Sequence, residues 1–193
     1  MHTVYEGQLV RLRPFRDADE MLQLVHEEHA EPNAHWGPMH HSGHELRRQF
    51  DENGMLSADG SLMMCIERLD TGEVAGYEEV GPLTLPRLVA WVGTFIRPLH
   101  QKRGFGMEAK QLMFCLLFEN LPLQCIMADT LSTHAPARRG LELSGMNYIG
   151  CRPAVHYRQG RYEAVVYYHL TRSEWAAMDY RHGIRRSGHV HGL

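Results

Sequence analysis

Apolar and polar positions alternate over residues 8–14, which predicts a first strand. Ala18, Met21, Leu22 and Val25 then share a helical stripe, and Asp17 and Glu20 have the spacing of a capping box at its start. Ser42 and Glu45 repeat that spacing ahead of a helix carrying Leu46 and Phe50 and ending near Gly54. Residues 61–69 and 73–80 flank Asp70-Thr71-Gly72 and predict an antiparallel hairpin. The stretch 88–96 is different: Val89, Trp91 and Phe95 occupy one alternating face and Leu88, Ala90, Val92 and Ile96 the other. A strand apolar on both faces is expected mid-sheet, with Trp91 in the core.

After a loop over 97–104, Ala109, Leu112, Met113, Leu116 and Leu117 fall on one face of a helix expected over 107–120, stopped before Pro122. Residues 123–128 form the next strand. Pro136 and Gly145 suit the two ends of a further helix, and 148–157 with 162–170 pair around Gln159-Gly160. Thr171 and Glu174 cap a last short helix. The order β-α-α-β-β-β-α-β-α-β-β predicts a mixed α/β fold (α+β) with one βαβ crossover near the sheet centre.

Length adds that the 193 residues suffice for one domain, expected over 1–180, with a flexible Gly-, His- and Arg-rich tail over 181–193. A net charge of -3 without clustered Lys and Arg argues against nucleic-acid or anionic-membrane partners. No apolar stretch is long enough to cross a bilayer and no leader-like segment opens the chain, so a cytoplasmic location is expected. Cys65, Cys115, Cys125 and Cys151 are widely spaced and read as buried, reduced thiols. The 14 histidines include His26, His29, His40, His41 and His44, but neither a Cys pair nor an HExxH helix accompanies them, so no metal is expected. Met63, Met64, Met107, Met113 and Met127 read as core filler.

The motif with chemical weight is Gln101-Lys102-Arg103-Gly104-Phe105-Gly106, between the two-faced strand and the following helix. Its glycines admit close backbone approach, and the first helical turn leaves N–H groups aimed at an anion, beside the positive Lys102 and Arg103. A pyrophosphate fits such a cradle. A glycine loop without a ligand is the plain alternative. Gly104-x-Gly106-x-x-Ala109 with Asp129 also imitates a dinucleotide fingerprint, but that fold wants the fingerprint after its first strand.

The loop resembles the Q/R-x-x-G-x-G/A signature of the GCN5-related N-acetyltransferase (GNAT) family, and element order agrees from residue 8 to 175. Within the family the chain is similar to the ribosomal-protein alanine N-acetyltransferase-like branch, through Leu9-Val10-Arg11-Leu12-Arg13-Pro14, Glu108-Ala109 and Ser173-Glu174-Trp175. The resemblance implies a twisted, mostly antiparallel sheet splayed beside its central strand. It implies acetyl-CoA (coenzyme A) as acyl donor, with pantetheine along Thr94, Phe95 and Ile96 and the pyrophosphate on Gln101, Lys102, Arg103, Gly104, Phe105, Gly106 and Met107. It also implies direct transfer to a primary amine, either a small molecule or a polypeptide N-terminus. A homodimer is compatible with it. A non-catalytic acyl-CoA-binding sensor or interaction module is the alternative function.

Amine acetylation calls for a base, a carbonyl-polarising donor and an acid for the leaving thiolate. The tyrosine acid of some relatives corresponds to Leu141, and the Asn and Ser of the ribosomal-protein branch correspond to His134 and Ala137. The branch's proposed carboxylate base corresponds to His156, which can titrate near neutrality. Glu79, with its neighbour Glu78, is the second candidate base. Acid-free departure of the thiolate also remains open. The acids between Asp17 and Glu52 suit a cationic acceptor or are simply solvated helix faces, and Trp36 is a candidate pocket residue.

Overall fold

The computed structural model describes residues 4–30, 42–57, 62–81 and 88–187. Its strands are β1 (Val4–Glu6), β2 (Val10–Arg13), β3 (Leu62–Arg68), β4 (Val74–Val80), β5 (Val89–Ile96), β6 (Cys125–Leu131), β7 (Asn147–Arg158), β8 (Arg161–Thr171) and β9 (Arg185–Ser187). The helices are α1 (Ala18–Ala30), α2 (Gly43–Asn53), α3 (Phe105–Asn120), α4 (Ala135–Leu143) and α5 (Arg172–Ala176). The strands form one nine-stranded sheet in the order β7-β8-β6-β5-β4-β3-β2-β1-β9, antiparallel except for the β5–β6 pair. β2, β3, β4 and β5 are successive antiparallel neighbours, with α1 and α2 inserted between β2 and β3 and a short turn joining β3 to β4; α3 then supplies the crossover that a parallel neighbour requires.

Each face of the sheet has its own core. The α3 and α4 face buries Leu12, Met64, Ile66, Ala90, Val92, Leu112, Met113, Leu117, Ile126 and Tyr168. The α1 and α2 face buries Phe15, Met21, Leu24, Val25, Leu46, Met63, Cys65, Tyr77 and Phe95. α1 starts where expected, with Asp17 Oδ1 accepting from the Glu20 backbone at 2.8 Å, whereas the Ser42 side chain makes no cap bond. Thr171 and Glu174 form both halves of a capping box.

Several expectations are corrected. Residues 181–187, expected to be part of a flexible tail, pack against the domain: Arg181 stacks over the Trp175 ring, Arg186 binds Glu119, and β9 pairs with β1. These three-residue strands are too short to show alternation, and charged side chains rather than an apolar stripe hold β9. Residues 188–193 lie outside the described residues, as do Trp36, His40 and His41. Trp91 is 38% exposed rather than core, at the last position where β5 still pairs with β6. Cys65 and Cys115 are buried as expected, but Cys125 is half-buried and Cys151 exposed.

Candidate functional site

β5 pairs with β4 from Val92 to Ile96, but with β6 only over Val89, Ala90 and Trp91. Beyond Trp91 the two parallel strands part. Gly81 donates to the Trp91 carbonyl and Arg97 donates to the Ala75 carbonyl, so odd-numbered residues direct their backbone groups toward β4. By strand alternation Val92, Thr94 and Ile96 direct theirs into the splay. The expected trio therefore divides. Thr94 turns its backbone groups into the splay, as does Ile96, whose carbonyl is taken by the Gln101 side chain, while Phe95 turns its backbone to β4 and buries its ring against Tyr77. Val92, not singled out from sequence, shares the parity of Thr94 and Ile96.

At the end of β5, a 3-10 turn over Pro98–His100 leads into the glycine loop. The Gln101 side chain donates to the Ile96 carbonyl at 3.0 Å, so it closes the loop rather than facing outward. Lys102 (φ 60°) and Gly104 (φ 86°) both adopt left-handed backbone. The first bond inside α3 runs from Glu108 N–H to the Gly104 carbonyl, which leaves the N–H groups of Phe105, Gly106 and Met107 outside the helical ladder. Gly106 packs so close to β5 that a Cβ there would lie 3.1 Å from Ile96 Cγ1. Phe105 is buried, its ring beside His100 and beneath the Arg68 guanidinium. Glu108 accepts from the backbone N–H groups of Gln8, Leu9 and Val10 at 2.7–2.9 Å, tying α3 to the start of β2. Lys102 and Arg103 are exposed beside the mouth. An extended edge continuing into a positively flanked, N–H-rich helix start can accept an acyl pantetheine with a diphosphate.

The opposite face of the splay carries side chains. Cross-strand partners share a face, so the pairs Tyr77–Phe95, Glu79–Gly93, Asp129–Tyr167 and Glu163–His156 fix Tyr77, Glu79, Trp91, Asp129, Tyr167 and His156 on the α1 and α2 side. Glu79 lies across Gly93, where a Cβ would sit 2.6 Å from Glu79 Oε1, so only glycine leaves that carboxylate its place. Burial and the nearby Glu28 charge push Glu79 up to about 7, against the pull of Lys110. Glu79 is nevertheless exposed to solvent, which screens that push and reduces its size. Burial also raises Glu28, which accepts a hydrogen bond from Tyr77 Oη, and raises Asp129 against the opposing charge of His156. Trp91 meets Tyr167 edge-on at 6.2 Å. Glu79 and His156 thus stand on opposite walls of the splay, with Gly93 and Asp129 between them. Asp129 enters the sequence reading only through the disfavoured dinucleotide fingerprint, and nothing short of strand pairing connects it to Glu79.

A family profile described as an acetyltransferase (GNAT) domain matches residues 10–147. The chain belongs to the GNAT acetyltransferase family. Solved structures agree in fold. A spermidine N-acetyltransferase from Vibrio cholerae, in complex with CoA and spermine, aligns with TM-score 0.75 at 20% identity over 86% of this chain and 98% of that one. A ribosomal L7/L12 alpha-N-protein acetyltransferase in complex with coenzyme A gives TM-score 0.75 at 17% identity over 87% and 97% of the two chains. A GCN5-related N-acetyltransferase from Brucella melitensis gives 0.67 at 23% identity over 90% and 80%. No curated protein matches the sequence.

As a GNAT acetyltransferase, the protein uses acetyl-CoA and an amine as substrates. Burial pushes the Cys65 thiol up to about 12 and the Cys115 thiol to about 11, which leaves both protonated and unreactive. Leu141, at the tyrosine-acid position, is buried in α4 and packs into the α3-face core. His134 stands at the α4 N-cap with Nδ1 3.4 Å from Thr130 Oγ1, and Ala137 follows within the helix. Among the described residues no three His, Cys, Asp or Glu side chains form a metal-sized group.

Proposed function

We propose that this GNAT enzyme acetylates a cationic primary amine, with Glu79 as the general base. The observation that carries this reading is the Glu79 carboxylate lying over Gly93, at the point where β5 leaves β6. A bound ammonium gives its proton to Glu79, directly or through one water, because a carboxylate titrating near 7 is matched to that task. The freed lone pair attacks the thioester carbonyl, the C–N bond forms as the C–S bond breaks, and the thiolate takes its proton from solvent or from protonated Glu79. Val92, Thr94 and Ile96 hold the pantetheine by backbone pairing, and the N–H groups of Phe105, Gly106 and Met107 receive the pyrophosphate beside Lys102 and Arg103. Gln101 and Gly104 shape that loop. His156 is the reserve base, on the far wall with Asp129.

A cationic acceptor is supported by Glu28, Glu79 and Asp129, which are raised, solvent-reachable or half-buried carboxylates on one face, and by the exposed Trp91 beside Tyr167. The V. cholerae structure was solved with spermine, which makes spermidine and spermine the first acceptors to try. A peptide with an N-terminal alanine is the second. The same reading includes a cytoplasmic enzyme; among the described residues no helix is long and apolar enough to cross a membrane. It also includes a homodimer, which sedimentation velocity would detect.

The deciding experiment is thiol release from acetyl-CoA in the presence of these acceptors. Turnover with spermidine or the peptide, abolished in Glu79→Gln, supports the proposal. CoA-dependent thermal stabilisation with no turnover on any amine would instead favour the binding module.

A further inference from the structure

Beneath the splay, on the α3 face, lies an ion pair that the reaction scheme does not use. Glu78 is fully buried, and its Oε1 accepts the Thr94 hydroxyl at 2.6 Å. Its Oε2 has no hydrogen bond and stands 3.7 Å from Lys110 Nζ, itself buried on α3. The pair spans the sheet-to-helix interface from β4 to α3, passing under β5. Met64 is its cross-strand partner, and the same face of the sheet carries the apolar cluster that includes Val92, Leu112 and Met113.

The connections of Thr94 give the pair a role. The Thr94 backbone faces the splay, its hydroxyl is taken by Glu78, and its Cγ2 lies 3.8 Å from where a Gly106 Cβ would be. One end of the link therefore grips the strand proposed to pair with pantetheine. Lys110 grips the helix whose first turn is proposed to receive the pyrophosphate. Two well-packed apolar side chains would hold strand to helix at least as firmly, since buried ion pairs seldom add net stability. What a charged pair adds is a fixed register that responds to a proton.

We propose that Glu78 and Lys110 are a positioning pair that sets the spacing between the pantetheine strand and the pyrophosphate helix, so that ionisation of Glu78 tightens acetyl-CoA binding. This rests on the cofactor placement proposed above. Burial pushes Glu78 up to about 7 despite the pull of Lys110 and the Thr94 hydrogen bond, with Glu79 adding a smaller upward push. Lys110 from α3 and Thr94 from β5 face the carboxyl, and its β3 cross-strand partner, Met64, is uncharged. Protonation removes the attraction that draws α3 onto β5 and leaves Lys110 buried without a counter-charge.

The test is calorimetric titration with CoA, without acceptor, from pH 6 to pH 8 in the full-length protein, Glu78→Gln and the double variant Glu78→Leu/Lys110→Met. In the wild type the Kd falls by about fivefold across this range, as expected for one coupled group with a one-unit pKa change on binding. Glu78→Gln can still accept the Thr94 hydroxyl but stays neutral, and binds at pH 8 about as weakly as the wild type does at pH 6. The double variant folds, because apolar replacement of a buried pair is tolerated. It binds CoA about tenfold more weakly than wild type at pH 8, with kcat at saturating acetyl-CoA within about threefold. Titration of the nucleotide's own phosphates is common to all three proteins and cancels in the comparison.

Equal Kd values and equal pH slopes in wild type and both variants would overturn the pairing role while leaving the cofactor site intact. No CoA binding by the wild type at any pH would overturn both.

Discussion

Glu67 and Glu79 stand on adjacent strands, β3 and β4, and have opposite electrostatics. Burial pushes Glu67 up, but hydrogen bonds from Arg13 and Arg11 outweigh it and hold the carboxyl below its usual range, with Arg16 also in contact. Glu20 is likewise held low by Arg13. Among the described residues Glu79 has no arginine partner and has a second carboxylate, Glu28, for a neighbour, and it is raised. The contrast separates framework from reaction chemistry: a carboxylate matched to a guanidinium fixes β2, β3 and α1 together, whereas one left to titrate near neutrality can exchange a proton. The same division runs through the site. The proposed donor half is made of backbone groups that any side chains could present, and the proposed acceptor half is made of side chains that only the sheet brings together.

The largest expected effect breaks the framework side. Glu67→Gln leaves the mostly buried Arg13 short of its counter-charge and should cost about 3 kcal/mol, read as a lower midpoint in urea unfolding. The pH dependence follows with a defined sign. Because the folded pKa of Glu67 and Glu20 is depressed, their stabilisation is present above the unfolded value of about 4.3 and is lost as pH falls through the lower folded value. Glu78 and Glu79 act oppositely. With folded values about 7, they favour the native state below the unfolded pKa, and that contribution is lost as pH rises toward 7. Mild acidification to pH 5 should therefore be tolerated, with unfolding confined to stronger acid. A urea midpoint that drops steadily between pH 7 and pH 5 would contradict this.

Next in size is the reactive side. Glu79→Gln should lower kcat by about 10² to 10³ while changing the KM for acetyl-CoA little, and should remove the limb of the pH–rate profile that rises through about 7. If His156→Ala produces that loss and Glu79→Gln does not, the base lies on the β7 wall. Trp91→Ala sharpens the acceptor half alone. Loss of the exposed ring should raise the KM for spermidine by about fivefold, within the range of a cation–π contact, and leave CoA binding unchanged.

What could be read from sequence follows the same division. The donor half was legible because its requirements are local: a two-faced strand, a Gln101–Gly106 loop and a helical stripe are contiguous, and their spacing states the geometry. Helix α3 began two residues earlier than the apolar stripe implied, since Phe105 is buried under Arg68 on the side of the loop rather than within the stripe. The acceptor face was not legible, because Glu79, Gly93, Asp129 and Tyr167 come from four strands whose order includes a crossover. Trp91 was misread for a related reason. An apolar residue at an alternating position looks like core until the neighbouring strand is known to diverge. His156 came from alignment with the family alone, and its face agrees with Glu79 only through the irregular β7–β8 register between Arg152 and His156.

The smallest effect tests whether the donor half is truly indifferent to side chains. Lys102 holds a left-handed backbone that costs a non-glycine residue about 1 kcal/mol, partly offset because glycine loses more freedom on folding. Lys102→Gly should therefore stabilise the unliganded protein by no more than about 0.5 kcal/mol, a shift of a degree or two in Tm. The same change removes a charge beside the diphosphate, so the Kd for CoA should rise about threefold at low salt and by less at 0.5 M, where screening is strong. A loop that binds CoA through N–H groups alone would show the stability gain without any salt-dependent loss. A loop that depends on the charge would show the loss grow as salt is removed, and the strain at Lys102 would then be the cost of keeping a cation where glycine fits more easily.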